Sequence, residues 1–187
     1  MDLRIEIGYD EDADSPRLDR EGTLFLGWHK RYTIGDPKPS HRFERPTEYY
    51  PEREDLLAAL REELTPVAEL PVFMVDHSGT HYSTGDFGDK WDSGQVGWIF
   101  ALPSDRWDGL TPEQIADVLR SEIAEYGTWA NGGMREFRIY NESGELLASS
   151  CGYYSEEDAQ READEERSAI LTREARDEVA CQRAMAL

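Results

Sequence analysis

The chain of 187 residues has only two cysteines, Cys151 and Cys181, and no long apolar run. Two cysteines do not form a disulfide framework, which excludes a small disulfide-stabilised secreted domain. The longest apolar run, near 96–102, is far shorter than the ~20 residues that span a bilayer. The start of the chain, MDLRIEIGYD, lacks the basic residues and apolar core of a signal peptide. We therefore expect a soluble protein of a reducing cytoplasm, with no membrane partner.

Basic residues are also scarce. The chain has 20 Lys and Arg, only three of them Lys, against 40 Asp and Glu, and its formal net charge is −20. Such a surface repels nucleic acid and anionic membranes, so we expect no direct nucleic-acid binding. Three interpretations of the acidity stay open. They are a bias of a salt-adapted or GC-rich source, a solubility device, and mimicry of a polyanion that occupies a nucleic-acid-binding partner. Residues 155–187 hold 10 acids and 5 Arg, and the other 30 acids are spread over residues 1–154, which favours the first interpretation.

The apolar pattern predicts a fold of the α+β class. Short runs with period two predict strands and two hairpins, at 3–7, 23–32, 71–76, 80–84, 95–102, 135–140 and 145–149. We expect a mostly antiparallel sheet of about six or seven strands, two packed helices and a C-terminal charged helix. Residues 1–154 are predicted to form a single α+β domain, and residues 155–187 an acidic helical tail.

Two helices are predicted from spacing and capping. Leu56, Leu60 and Leu64 recur at helical spacing within 52–64. A capping box with proline at its first helical position, Thr111-Pro112-Glu113-Gln114, starts the second helix, for which Gly127 is the predicted end. Four prolines lie within 35–51, and since proline removes backbone donors we expect an irregular loop there.

The segment 70–101 presents the densest group of polar side chains, in a loop between two apolar strand-like runs. Polar groups held by a rigid sheet are typical of a binding site. We predict a contact surface made by Asp76, His77, His81, Asp86, Trp91, Asp92, Ser93 and Gln95. We assign no catalytic residue, metal ligand or cofactor.

A hydrolase is an alternative for the same loop. Asp76, His77, Asp86, Asp92 and Ser93 are residue types of metal-dependent or nucleophilic hydrolysis. Ser93 or Cys151 would be the nucleophile and His77 the base, or Asp76, His77 and His81 would supply metal ligands. This hypothesis requires these side chains to converge on one pocket.

Three groups of segments carry a resemblance. They are Ser15-Pro16-Arg17, Gly22-Thr23-Leu24, Trp28-His29-Lys30-Arg31-Tyr32 and Gly35-Asp36; then Leu70-Pro71, Asp76-His77-Ser78-Gly79 and 91–98, WDSGQVGW; then Glu125-Tyr126, Phe137-Arg138-Ile139 and Gly152-Tyr153-Tyr154. Over residues 1–154 the chain resembles a family of small uncharacterised proteins of bacteriophages, prophages and related mobile elements. The resemblance implies no activity, and it implies a setting inside a host cell. Family members tend to have Cys where this chain has Asp89 and near Ser150, so no thiol or metal role is implied there.

Together these observations predict a non-enzymatic intracellular binding protein of viral or mobile-element type. One form of this hypothesis is an acidic antagonist of a host nuclease or defence factor. The expected partner is a host or viral protein, and self-association through the C-terminal helix is a further hypothesis. A structural component of a virion or its assembly, and the hydrolase above, are the alternatives.

Overall fold

The computed structural model describes residues 2–18, 20–88 and 92–185, apart from the side chains of 178 and 183–185. The chain divides into two compact units. The central unit is Ser15–Asn131, and the terminal unit is Met1–Asp14 with Gly132–Leu187. The described residues contain seven strands and five α-helices, which confirms the predicted α+β class. The strands lie in two antiparallel sheets, where the sequence led us to expect one.

The central unit contains a four-stranded antiparallel sheet in the order β2-β5-β3-β4. Its elements are β2 (Thr23–Gly27), α1 (His41–Glu44), α2 (Pro46–Tyr49), α3 (Arg53–Leu64), β3 (Ala68–Asp76), β4 (Thr80–Ser83), β5 (Ser93–Ala101) and α4 (Pro112–Ala130). Side chains of β5 alternate between two cores: Ile99 packs with α4, and Trp98 and Phe100 pack with α1 and α3. Since helices cover both faces of the sheet, the inner strands consist of nearly continuous apolar runs in the sequence.

Buried charges tie the segments before and after β2 to α4. Arg17, Asp36 and Glu122 are at most 9% exposed. The Arg17 guanidinium donates to both Asp36 oxygens, at 3.0 and 2.7 Å, and to Glu122 Oε2 at 2.6 Å. Glu122 also accepts from the Thr23 hydroxyl at 2.6 Å and from Arg106 at 3.0 Å. Because each buried carboxylate has several donors, the desolvation of these charges is offset.

The terminal unit contains a three-stranded antiparallel sheet in the order β1-β6-β7. Its elements are β1 (Arg4–Tyr9), β6 (Arg135–Tyr140), β7 (Leu146–Tyr153) and α5 (Glu156–Met185). Ala163 and Ile170 of α5 share a core with Leu3, Phe137 and Ile139 of the sheet. The predicted boundary at residue 154 stays a prediction. Within the described residues, no helix has both the length and the apolar character needed to cross a bilayer.

Three element boundaries differ from the sequence prediction. Strand β2 ends at Gly27, because the chain turns back and residues 35–36 pair with β2: Asp36 N donates to Phe25 O at 2.7 Å. The predicted loop 35–51 contains α1 and α2, and Phe43 of α1 is fully buried. Helix α4 continues past Gly127 to Ala130. Packing of Tyr126 and Trp129 onto the core outweighs the ~1 kcal/mol that an interior helical glycine costs.

Candidate functional site

Strands β3 and β5 bring part of the predicted site together at one end of the central sheet. Strand β3 ends at Asp76, whose backbone N–H donates to Asp92 O at 3.2 Å, and Ser93 lies opposite Val75. The turn from Asp76 to Thr80 uses positive φ at Ser78 (56°) and Gly79 (130°). This turn places His77 Nδ1 3.6 Å from Asp92 Oδ2.

The Asp76 carboxylate is already engaged by the segment that follows β2. Its Oδ2 accepts from Arg31 Nη2 at 2.6 Å and from the Tyr32 hydroxyl at 3.1 Å. The Tyr32 ring also stacks on His29, with 5.0 Å between ring centroids. Asp76 therefore orders the 29–32 segment by charge-assisted hydrogen bonds.

Other predicted residues lie apart from this group. His81 pairs with Val75 and has an exposed side chain, so the alternation along the strands places it on the opposite face from Asp76. Asp86 closes its own turn, since its Oδ1 accepts from Gly88 N at 2.9 Å. Trp91 lies outside the described residues.

The arrangement does not resemble a hydrolytic centre. The His77 and Asp92 side chains are 77% and 50% exposed, and 3.6 Å exceeds the usual hydrogen-bond distance. In the described parts of the chain, no three or more His, Cys, Asp and Glu side chains converge as metal ligands. Burial, then the charges of Asp10 and Glu136, raise the pKa of Cys151, which disfavours the nucleophilic thiolate.

A polar groove of about 440 Å³ lies at this end of the sheet. Its charged and polar lining comes from two segments, 29–31 and 92–95, together with Asp76. Lys30 and Arg31 line the groove together with Asp76 and Asp92, so the groove presents both signs of charge and is suited to binding polar groups.

An aromatic cleft of about 280 Å³ adjoins the polar groove and shares Trp28, Gln95 and Val96 with it. The rings of Trp28 and Trp98 meet edge-on in the cleft, with centroids 6.2 Å apart. The Trp28 indole N–H donates to Phe43 O at 2.7 Å, which holds that ring. Tyr50, Pro46 and Pro51 complete the apolar lining.

Polar groups lie at fixed positions in the aromatic cleft. Arg53 Nη1 donates to Gln95 Oε1 at 2.9 Å, and Gln95 Nε2 donates to Gly97 O at 3.2 Å. Trp98 is 6% exposed and packs in the core at the floor of the cleft.

Sequence reasoning found Gln95 but missed the aromatic cleft. From the sequence, Trp28 and Trp98 are predicted to be core residues, because a tryptophan in a strand is usually buried. Tyr50 lies near the end of the proline-containing loop and Arg53 lies just beyond it, both at least 40 residues before β5. The prolines at 46 and 51 were the available indication that this loop has a definite conformation.

Comparison with models of protein families, with curated proteins and with solved structures finds no match to this chain, so the resemblance to the phage and mobile-element family stays a prediction.

Proposed function

We propose that this protein is a non-enzymatic binding protein, and that an extended segment of a protein partner binds across the aromatic cleft and the polar groove. The observation that carries the proposal is that the two recesses share three lining residues, Trp28, Gln95 and Val96. One ligand segment would therefore meet an apolar recess at one end and charged groups at the other.

The cleft has the size and chemistry of an anchor pocket. Its 280 Å³ lies just below the ~300–1,000 Å³ range of drug-sized ligand sites. A bulky apolar or aromatic side chain fits such a volume. Tryptophan, tyrosine and arginine carry a large share of binding energy at protein interfaces, and this cleft contains all three.

The acidity of the chain supports a basic partner. A net charge of −20 steers positively charged proteins toward the surface and accelerates their encounter. With the resemblance to phage and mobile-element proteins, this favours an antagonist of a host nuclease or defence factor that acts in the host cytoplasm.

A structural role in a virion or its assembly is the second candidate. One observation favours it: no described side chain of α5 beyond Ile170 is buried, so about half of this 30-residue helix is free to dock elsewhere.

Selection from a displayed library of random dodecapeptides tests the proposal. We expect the enriched peptides to share an apolar anchor residue. Their affinity, measured by fluorescence anisotropy, should weaken about tenfold in Arg53→Glu, a loss of roughly 1.4 kcal/mol of binding free energy. The matched control is Arg120→Glu on α4, an exposed arginine that does not line either recess; it should change the affinity less than about twofold.

Two results would contradict the proposal. One is the absence of any peptide enriched above background, and the other is equal affinity of the enriched peptides for wild type and Arg53→Glu. Cleavage of a bound peptide would instead favour the hydrolase.

A further inference from the structure

Strand β7 of the terminal unit is an unprotected sheet edge. It has eight residues, Leu146–Tyr153, and among the described residues it pairs only with β6. Leu146 and Leu147 are 50% and 36% exposed, and most of the strand is exposed on both faces. The outward backbone N–H and C=O groups of such an edge are a template for a further strand.

The three other sheet edges are protected. Strand β1 carries charges at Arg4 and Glu6. Strand β2 is covered by the returning segment, through the bridge from Leu26 to Gly35. Strand β4 has four residues, and the Asn131 amide bonds both the N–H and the C=O of Thr80. Proteins use charges, short strands, bulges and covering segments to prevent edge pairing, and of these β7 has only the register shifts near its two ends.

The composition of β7 is that of an inner strand. Residues 146–155, LLASSCGYYS, contain no charge in a chain that is 32% charged. The other uncharged run of ten or more residues, 93–104, contains β5, which is paired on both sides. Register shifts in the β6–β7 ladder lie toward its ends and leave regular pairing at Ala148–Ser150.

The space beside β7 is acidic. A cleft of about 430 Å³ between the sheet and α5 is lined by Ser150, Tyr153, Glu162, Glu165 and Glu166, among others. Alternate side chains of a strand added at β7 would point toward this flank of α5. Lysine or arginine at those positions would meet three carboxylates.

We infer that β7 accepts an extended, basic segment of a partner protein as a fourth strand, with every second side chain a Lys or Arg directed at Glu162, Glu165 and Glu166. Main-chain hydrogen bonds supply affinity and the acidic flank of α5 selects the partner. A second copy of this chain fits poorly: its β7 brings no positive charge, and both copies have a net charge of −20. The surface belongs to the terminal unit, so this inference goes beyond the proposed function of the cleft.

Synthetic peptides of eight residues test this inference on the full-length protein. The probe alternates Lys and Val. The first comparison peptide carries Glu in place of each Lys. The second keeps the Lys–Val sequence but carries N-methyl groups on alternate amides, which remove main-chain hydrogen-bond donors. We expect the Lys–Val peptide alone to bind and to slow amide hydrogen exchange within 146–151. Glu162→Gln/Glu165→Gln should weaken binding about tenfold, because two charge-assisted contacts are lost.

The matched control is Glu157→Gln/Glu174→Gln, which removes the same charge from α5 at exposed positions outside the cleft. It should change the affinity less than about twofold. The inference is overturned if the N-methylated peptide binds as well as the unmodified peptide, or if the two double variants weaken binding equally. It is also overturned if β7 is protected by self-association that the Lys–Val peptide does not compete with. Arg53→Glu should bind the peptide like wild type, whether or not the cleft binds its own ligand.

Discussion

At the scale of single residues, the buried charges around Glu122 hold the central unit in one arrangement. Arg17 lies before β2, Asp36 lies in the returning segment, and Glu122 lies on α4, so one cluster joins three parts of the chain. Asp36 also accepts from Phe25 N at 2.7 Å, which extends the cluster into β2. Since the segment from 28 to 36 supplies Trp28 and Arg31, these buried charges also position the walls of both recesses.

Glu122→Gln should lower the free energy of unfolding by about 3 kcal/mol, because it leaves the Arg17 charge only partly compensated in a buried position. Urea denaturation followed by tryptophan fluorescence measures this change. Glu113→Gln, which removes one partner of the exposed Arg120 pair, is the control and should cost less than about 0.5 kcal/mol. Equal effects of the two substitutions would show that the buried cluster is not stabilising.

The same carboxylate predicts a loss of stability in acid. Burial raises the pKa of Glu122, but hydrogen bonds from Thr23, Arg17 and Arg106 outweigh burial and hold this pKa below its ordinary value of 4.5. A carboxyl whose pKa is lowered by folding stabilises the protein fully above its unfolded pKa, and this contribution declines as the pH falls below it. The stability difference between wild type and Glu122→Gln should therefore shrink between pH 7 and about pH 3.5. A difference that is constant with pH would contradict the assignment.

Gly97 is required where β2 and β5 approach each other. A Cβ at this position would meet the Leu26 carbonyl oxygen and lie 2.8 Å from Gly27 Cα, both rigid backbone atoms. Gly97→Ala should cost about 3 kcal/mol or more, measured by urea denaturation, because the strands must separate. Gly94→Ala in the same strand has no atom within 4 Å of its new Cβ, so its effect should be within about 0.5 kcal/mol.

At the scale of elements, α5 has two dissimilar halves. Its first half packs on the sheet through Ala163 and Ile170, and Ala159 is also buried; all three are at most 7% exposed. Its second half carries Leu171 and Val179 at 39% and 48% exposed. The helical period alone does not distinguish these halves, since apolar residues occur sparsely in both.

Removal of residues 174–187 should therefore leave the stability of the folded chain within about 0.5 kcal/mol of wild type. Ile170→Ala should cost about 2–4 kcal/mol, because it opens a cavity between α5 and the sheet. Urea denaturation followed by far-ultraviolet circular dichroism compares the two variants. A truncated chain as unstable as Ile170→Ala would show that the second half contributes to packing.

At the scale of the whole molecule, the net charge of −20 opposes compaction. Many ion pairs at the surface are local and exposed, such as Arg161 with Asp158, and contribute little each. Helix α5 is about 45 Å long at ~1.5 Å per residue, a length over which duplex DNA has roughly 26 phosphates. Residues 155–187 offer 10 acids and 5 Arg, so α5 by itself is a poor mimic of DNA.

Added salt should stabilise this protein. Raising NaCl from about 0.05 to 0.5 M shortens the Debye length from roughly 14 to 4 Å and screens the mutual repulsion of the carboxylates. The urea midpoint should rise over this range, and it should rise less in a variant with four exposed acids changed to Gln, such as Glu54, Asp55, Glu113 and Asp117. A midpoint independent of salt would contradict the interpretation of the acidity as salt adaptation.

Part of the fold was predictable because it depends on local patterns. The alternation in 3–7, the leucine spacing in 52–64 and the capping box at 111–114 each specify an element within a few residues of chain. The structure confirms the capping box at α4, where the Thr111 side chain accepts from Gln114 N and the Gln114 side chain accepts from Thr111 N. The charge follows from composition, and the absence of a long apolar run follows from the order of residues along the chain.

Other features required the tertiary structure, because they depend on pairs of residues far apart in the chain. The division of seven strands between two sheets depends on which strands pair, and β1 pairs with β6 across more than 120 residues. The Arg17–Glu122 contact, the edge position of β7 and the aromatic cleft between Tyr50 and Trp98 have the same origin. Composition and period specify how a segment folds locally; the partner of each segment is decided by packing of the whole chain, which no local pattern contains.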